Sequence, residues 1–174
     1  SMEILSSLEE NQDGIQHVIF GTYTFDPVFF EDEILPIFSD AENIVVLVDQ
    51  TKYVEEFSKM KLAGRGYYIE PCKSKGVFHP KFVLVTSPEQ IRFLVGSFNL
   101  TRRGWFTSGE LLADIDSLNE EFDTSILFNS VAEFLTEINN SNLLPSKRHQ
   151  NKIQEVIEQI KSKRIKNNSN VKLL

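Results

Sequence analysis

The sequence predicts an α/β fold in which a mixed β-sheet is layered between helices. Three observations predict it: β-rich runs alternate with helical segments, one run is apolar throughout, and two others are separated by only four residues. Alternating strands and helices bury best as a layered sheet, and a short turn between two strands makes that pair antiparallel.

Residues 15–25, IQHVIFGTYTF, combine β-branched and aromatic residues in rough alternation and predict the first strand. Asp26 then reads as an N-cap and Pro27 as the first turn of a helix over VFFEDEILPIF, disturbed at Pro36. Glu31, Asp32 and Glu33 read as a solvated face near the positive helix end. NIVVLVDQ (43–50) is a short all-apolar run, as expected of a strand covered on both faces. Residues 51–63 read as a helix ended by Gly64 and Gly66, and RGYYIEP follows as a strand. VFHPKFVLVT (77–86) and IRFLVGSFNLT (91–101), joined through Ser87-Pro88-Glu89-Gln90, predict a hairpin. ELLADID (110–116) reads as one more strand. A helix follows over 122–139, with apolar positions at Phe122, Ile126, Val131, Phe134, Leu135 and Ile138. After Pro145, residues 147–165 form a basic helix with Ile153, Val156, Ile157 and Ile160 on one stripe, and NNSN begins a tail expected to be flexible. The expected division is a catalytic domain over 1–145 and a basic C-terminal helix with its tail over 146–174.

At 174 residues the chain is long enough to bury one well-formed core, and 41% hydrophobic with 25% charged residues is an ordinary globular balance. Fourteen phenylalanines imply a core packed with rings. No apolar run approaches the roughly 18 residues that span a bilayer, so no membrane partner is expected. The acidic opening SMEILSSLEENQD lacks a secretory pattern, and the single cysteine, Cys72, excludes an intrachain disulfide and a cysteine-based zinc site. The expected location is the cytoplasm, and no cofactor or metal is expected. The net charge of -7 hides a division into blocks: -11 over residues 1–60, +6 over 61–103, -8 over 104–145 and +6 over 146–174. Local field, not net charge, steers an anionic ligand.

The first basic block contains the chemistry. Side chains two apart on a strand share a face, so His79 and Lys81 project together, with Phe78, Phe82 and Leu84 facing the other way. Ser97 and Asn99 repeat the arrangement on the neighbouring strand, and pairing as a hairpin brings all four toward one end of the sheet. Lys and Asn supply donors to the non-bridging oxygens of a phosphate, and an imidazole is a competent nucleophile toward phosphorus.

HPK (79–81) followed by GSFN (96–99) resembles the phospholipase D superfamily signature H-x-K then G-S-x-N, and LTRRGW continues in the same manner. GTYTFDP (21–27) is similar to the first strand-to-helix turn of that fold. The resemblance spans about residues 15–116. It implies a phospholipase D-like sheet, a metal-independent phosphodiesterase, His79 as nucleophile, Lys81, Ser97 and Asn99 in the site, and Glu110 supporting the histidine. The acidic residue that commonly follows the Lys is replaced by Thr86, as in the tyrosyl-DNA phosphodiesterase branch.

Arg102, Arg103 and Lys75 are the candidate substrate contacts, Tyr23 and Thr22 candidates for the lining. Trp105 reads as a packing anchor, Cys72 as inert, and His17 and His149 as residues without a role. Larger members of the superfamily carry two motif copies, whereas here neither His17 nor His149 is followed by Lys two positions on. The resemblance therefore implies a homodimer in which two His79 side chains share one site, one becoming a phosphohistidine while its mate protonates the leaving oxygen. Basic residues flank the motif at Lys73, Lys75, Arg92, Arg102 and Arg103, so the expected partner is nucleic acid and the expected activity a DNA or RNA nuclease, of the kind found in a restriction or defence system. The alternatives are a phosphodiesterase acting on lipids or protein–DNA adducts, and a non-catalytic nucleic-acid-binding or dimerisation module.

Overall fold

Six strands, His17–Thr22 (β1), Asn43–Asp49 (β2), Tyr68–Cys72 (β3), Phe82–Thr86 (β4), Ile91–Gly96 (β5) and Leu112–Asp116 (β6), form one sheet in the order β3-β2-β1-β4-β5-β6. They belong to a computed structural model that describes residues 14–106, 111–118, 124–141 and 143–169, with side chains to residue 163. The β1–β2 and β2–β3 pairs are parallel, and β1–β4, β4–β5 and β5–β6 are antiparallel, which makes the sheet mixed.

Helices cover both faces, so the central strands read as apolar runs in place of clean alternation. One face packs Val18, Phe20, Val46, Val83 and Leu94 against Phe29, Phe30, Phe98 and Trp105. The other packs Ile19, Leu47, Phe82, Leu84 and Phe93 against two C-terminal helices, Ser125–Asn140 and Lys147–Ser169. Rings dominate the first core: Phe20 meets Phe30 edge-on at 5.3 Å between centroids, and Phe38 at 5.8 Å. Each such side chain contributes about 1.5–3 kcal/mol by leaving water.

Asp26 caps the first helix, Pro27–Phe29 (α1), by accepting a bond from the Phe29 amide at 3.1 Å, as its position predicts. The helix widens into a π turn at Phe30–Ile34 and tightens into a 3-10 turn at Leu35–Phe38, where Pro36 denies it an amide donor. The widened turn aims Glu31 inward. Expected on a solvated face, Glu31 is instead buried, accepting bonds from the amides of Lys61 and Leu62 and from the Tyr67 hydroxyl. After Gln50–Glu56 (α2) and a 3-10 turn at Phe57–Lys59, β3 returns to the sheet.

Several elements are shorter than the pattern predicts. β1 occupies 17–22 within the predicted 15–25, and β4 begins at Phe82, not at residue 77. Pro80 has no amide proton to give a ladder, and regular pairing begins only after Lys81, whose carbonyl still accepts the Gly96 amide. β5 ends at Gly96: the Ser97 amide still donates to the Leu111 carbonyl, but the Leu111 amide returns to the Ser97 hydroxyl in place of its carbonyl. Arg102–Phe106 (α3) follows and buries Trp105 completely, as a packing anchor should be. Ser125–Asn140 (α4) buries Phe128, Val131, Ala132, Leu135 and Ile138, whereas Ile126, placed on the apolar stripe by sequence, is 70% exposed. Phe122 lies outside the described residues. Lys147–Ser169 (α5) buries Ile153, Val156, Ile157 and Ile160, the predicted stripe. His149, expected to lack a role, is a buried structural partner: its Nδ1 pairs with the buried carboxylate of Glu70 on β3. Among the described residues no helix is long and apolar enough to cross a membrane.

Candidate active site

His79 and Lys81 lie just before β4, at the open end of the β4–β5 hairpin and opposite its turn at 87–90. His79 is exposed. Lys81 is 9% exposed, and its ammonium lies 2.9 Å from Nδ1 and 3.2 Å from Nε2 of His79. A third contact runs from Lys81 Nζ to the His79 carbonyl at 3.3 Å. The backbone explains how two residues outside a strand hold this geometry. The Gly96 amide donates to the Lys81 carbonyl at 3.1 Å, while Phe78 is buried in the core on the side of α4 and α5.

The second half of the motif arrives from the end of β5. Gly96 is required there by space, because a Cβ would sit 2.1 Å from the Leu111 carbonyl oxygen. That same carbonyl accepts the Ser97 amide at 3.1 Å, and the Ser97 hydroxyl accepts the Leu111 amide at 3.0 Å. Ser97 thus braces the start of β6. Asn99 Oδ1 accepts the Thr24 amide at 3.2 Å, and Thr22 accepts the Leu100 amide at 2.9 Å through its hydroxyl. The loop after β1 is thereby laced to the segment after β5. Its Tyr23 ring packs against the His79 ring, with centroids 4.8 Å apart. Tyr23 and Thr24, adjacent in sequence, thus touch the two halves of the motif, His79 on one side and Asn99 on the other. Lys52 of α2 stands 5.8 Å from the centre of the Tyr23 ring.

A residue that the sequence reading did not single out completes the frame. Asp49, at the end of β2 and 3% exposed, accepts the Phe78 amide on Oδ2 at 2.8 Å. Its Oδ1 accepts the amide and hydroxyl of Thr51, at 2.9 and 2.5 Å. Burial pushes this carboxyl up, but the bonds from Thr51, Phe78 and Lys52 together hold it below its ordinary value. The only sequence signal was a carboxylate ending an otherwise apolar strand.

The other candidates distribute differently. Arg102 is exposed and pairs with Glu33 beside the Phe29 ring, so it is directed at α1. Arg103 and Lys75 are exposed, Lys75 on the loop between β3 and β4. Glu110 lies outside the described residues. Thr86, where the superfamily commonly has an acid, is fully buried and pairs in register with His17, at the end of β4 remote from His79. His17 is half-buried, and burial lowers its pKa. Burial raises the Cys72 thiol far above its ordinary range, keeping it uncharged and a poor nucleophile. Among the described residues no three His, Cys, Asp or Glu side chains gather as a metal site would need. A cavity of about 470 Å³ opens directly beside His79 and Lys81, between the sheet and α4, walled by Phe82, Phe93, Val131 and Phe134.

No family model matches the sequence, and no curated protein is similar to it by sequence. Solved structures are similar. Yeast tyrosyl-DNA phosphodiesterase superposes with a TM-score of 0.51 at 13% identity, over 87% of this chain and 37% of that one. This chain thus spans little more than a third of the yeast enzyme's. NucT from Helicobacter pylori gives 0.52 at 14% identity, over 78% of this chain and 87% of that one. The phospholipase D family member Nuc from Salmonella typhimurium gives 0.50 at 16% identity, over 66% and 73%. With a mixed sheet between helices and the H-x-K and G-S-x-N segments meeting at one end of it, this chain has the phospholipase D-like fold.

Proposed function

We propose that this chain is one subunit of a metal-independent phosphodiesterase that cleaves nucleic acid through a phosphohistidine, in a site shared by two copies. The observation that carries the reading is the exposed His79 imidazole held against the Lys81 ammonium, with Asn99 tied to the same loop whose Tyr23 packs on that imidazole. A nitrogen of one His79 attacks phosphorus and the P–O bond to the leaving oxygen breaks. The His79 of a second copy donates its proton to that oxygen, then takes one from the water that displaces the histidine. Lys81 and Asn99 neutralise charge on the non-bridging oxygens as it grows. Ser97 braces the start of β6 and Glu110 supports the histidine, while Arg103 and Lys75 track the neighbouring phosphates and Arg102 joins them on leaving Glu33.

The requirement for two imidazoles supports the homodimer, since one chain supplies one H-x-K. Apolar side chains on the site's rim support it further: Val95, Leu111 and Leu127 are 36%, 80% and 47% exposed, an apolar surface suited to an isologous contact. The basic blocks flanking the motif support a polyanionic substrate. The TM-scores with tyrosyl-DNA phosphodiesterase, Nuc and NucT support the phosphodiesterase class through their shared fold.

The test incubates purified protein with plasmid, single-stranded DNA, RNA and phospholipid vesicles, beside His79→Ala. Cleavage of nucleic acid that persists in EDTA and is lost with His79→Ala is the expected result, with sedimentation reporting a dimer. Loss of cleavage in EDTA sinks the metal-independent mechanism, and binding without turnover makes the domain a non-catalytic module. The apolar cavity beside His79 favours a second reading, in which the phosphodiester carries an apolar substituent as a phospholipid does. Hydrolysis of the vesicles, with nucleic acid left intact, selects it.

A further inference from the structure

Four consecutive residues, Phe78 to Lys81, are restrained in four different ways. Phe78 has its ring in the core and its amide on Asp49 Oδ2 at 2.8 Å. His79 precedes a proline, which excludes helical backbone at that position. Pro80 has a fixed φ of about -65°. Lys81 is tied by its carbonyl to Gly96. Of these restraints, the bond to Asp49 is the hydrogen bond that comes from a side chain outside the hairpin, 29 residues earlier in the chain.

We propose that Asp49 is a positioning residue for His79: by holding the Phe78 amide it fixes the backbone from which the imidazole projects toward phosphorus. The inference rests on the reading of His79 as the nucleophile. A buried carboxylate is costly unless its oxygens are satisfied, and Asp49 divides its two between separate tasks. Oδ1 caps α2 through Thr51, and Oδ2 reaches across to Phe78. A residue that served only as a helix cap would need the first oxygen alone, and serine supplies that. The second oxygen is the one that explains why a carboxylate stands here. Tyr23 completes the support from the opposite side by packing its ring on the imidazole.

Two variants separate the tasks. Asp49→Asn leaves one oxygen where two are used, and Asp49→Ser keeps a cap for α2 but is too short to reach Phe78. Each is expected to lower kcat by about 10- to 100-fold, the scale of a misplacement near 1 Å, while KM stays within about threefold. A second readout is independent of turnover. The Phe78 amide of the unaltered protein is expected to exchange with solvent deuterium as slowly as the amides of β4, and that protection should be lost in both variants. A variant with unchanged kcat overturns the proposal, as does a Phe78 amide that exchanges in the unaltered protein as fast as that of the exposed Val77. If neither variant folds, the exchange rate of the unaltered protein decides. His79→Ala with full activity sinks the nucleophile instead, and a protected Phe78 amide would still report the clamp.

Discussion

Asp49 and Glu70 stand on neighbouring strands, two rungs apart: Asp49 pairs in register with Cys72, and Leu47 with Glu70. Both are almost wholly enclosed, at 3% and 1% exposure. Each solves the problem of a buried carboxylate in the same way, by capturing groups from a distant part of the chain. Asp49 captures the Phe78 amide at the entrance to the site. Glu70 captures the Ser146 amide at 2.9 Å and the His149 ring, and so pins α5 to the sheet, with Arg148 lying 4.2 Å over the neighbouring Tyr68 ring. One device serves two ends: at Asp49 it shapes chemistry, and at Glu70 it secures a helix. Burial alone does not say which. The identity of the captured segment does.

Removing Glu70 should produce the larger loss of stability. Glu70→Ala strands His149 and the Ser146 amide, and breaking a buried pair of this kind costs about 3–5 kcal/mol. For a chain of this length that corresponds to a fall in melting temperature of roughly 10 °C, measured by calorimetry. Activity per folded molecule should remain within about twofold at a temperature where the variant is folded. Asp49→Asn should reverse the pattern, with the greater loss in kcat. If Glu70→Ala also lowers kcat tenfold in the folded state, the division between the two carboxylates collapses.

Tyr23 sharpens the comparison on the side of the site. Its ring packs on His79 with centroids 4.8 Å apart, and the Lys52 ammonium stands 5.8 Å from the centre of the same ring. An aromatic pair contributes about 0.5–1.5 kcal/mol beyond area burial, so Tyr23→Leu should slow cleavage by about three- to tenfold, with a melting temperature within about 2 °C of the parent. Tyr23→Phe keeps the ring and should behave as the parent. A tenfold loss in Tyr23→Phe would shift the role from the ring to the hydroxyl.

The parts legible in the sequence are those set by neighbours a few residues apart. The apolar run at 43–50, the hairpin with its short turn and the isoleucine stripe of α5 all became the elements their patterns predict. The H-x-K and G-S-x-N segments were readable for the same reason, since each is a fixed local spacing. What escaped were carboxylates whose partners lie far away. Glu31 read as solvated because its donors, the amides of Lys61 and Leu62, are 30 and 31 residues on. His149 read as idle because Glu70 is 79 residues distant. Strand ends near the site were also overdrawn. Periodicity continues through His79 and Lys81, whereas pairing stops at Phe82, where the proline's missing donor has already broken the ladder.

The smallest expected effect comes from His17, at the opposite end of β4 from the site, and it offers a pH control for both carboxylates. Burial lowers its pKa below the ordinary 6.5; Glu155 opposes that shift and Lys152 adds to it. The unfolded chain therefore takes up a proton at a higher pH than the folded one does. Between 6.5 and the lower folded value the unfolded state binds more protons, so stability falls as pH falls through that window and levels off below it. His17→Gln should flatten the slope of stability between about pH 7 and pH 5, measured by denaturant unfolding, because no other titration of a neutral imidazole at that position remains. Asp49 has the same sign in a lower window: its carboxyl is held below 3.8, so its contribution is present above that value and is lost only as pH falls through the folded pKa. A His17→Gln variant that keeps the full slope would place the proton uptake elsewhere. A slope that vanishes between pH 7 and 5, with the acid loss below pH 4 retained, separates the imidazole at the sheet's far end from the carboxylate that frames the site.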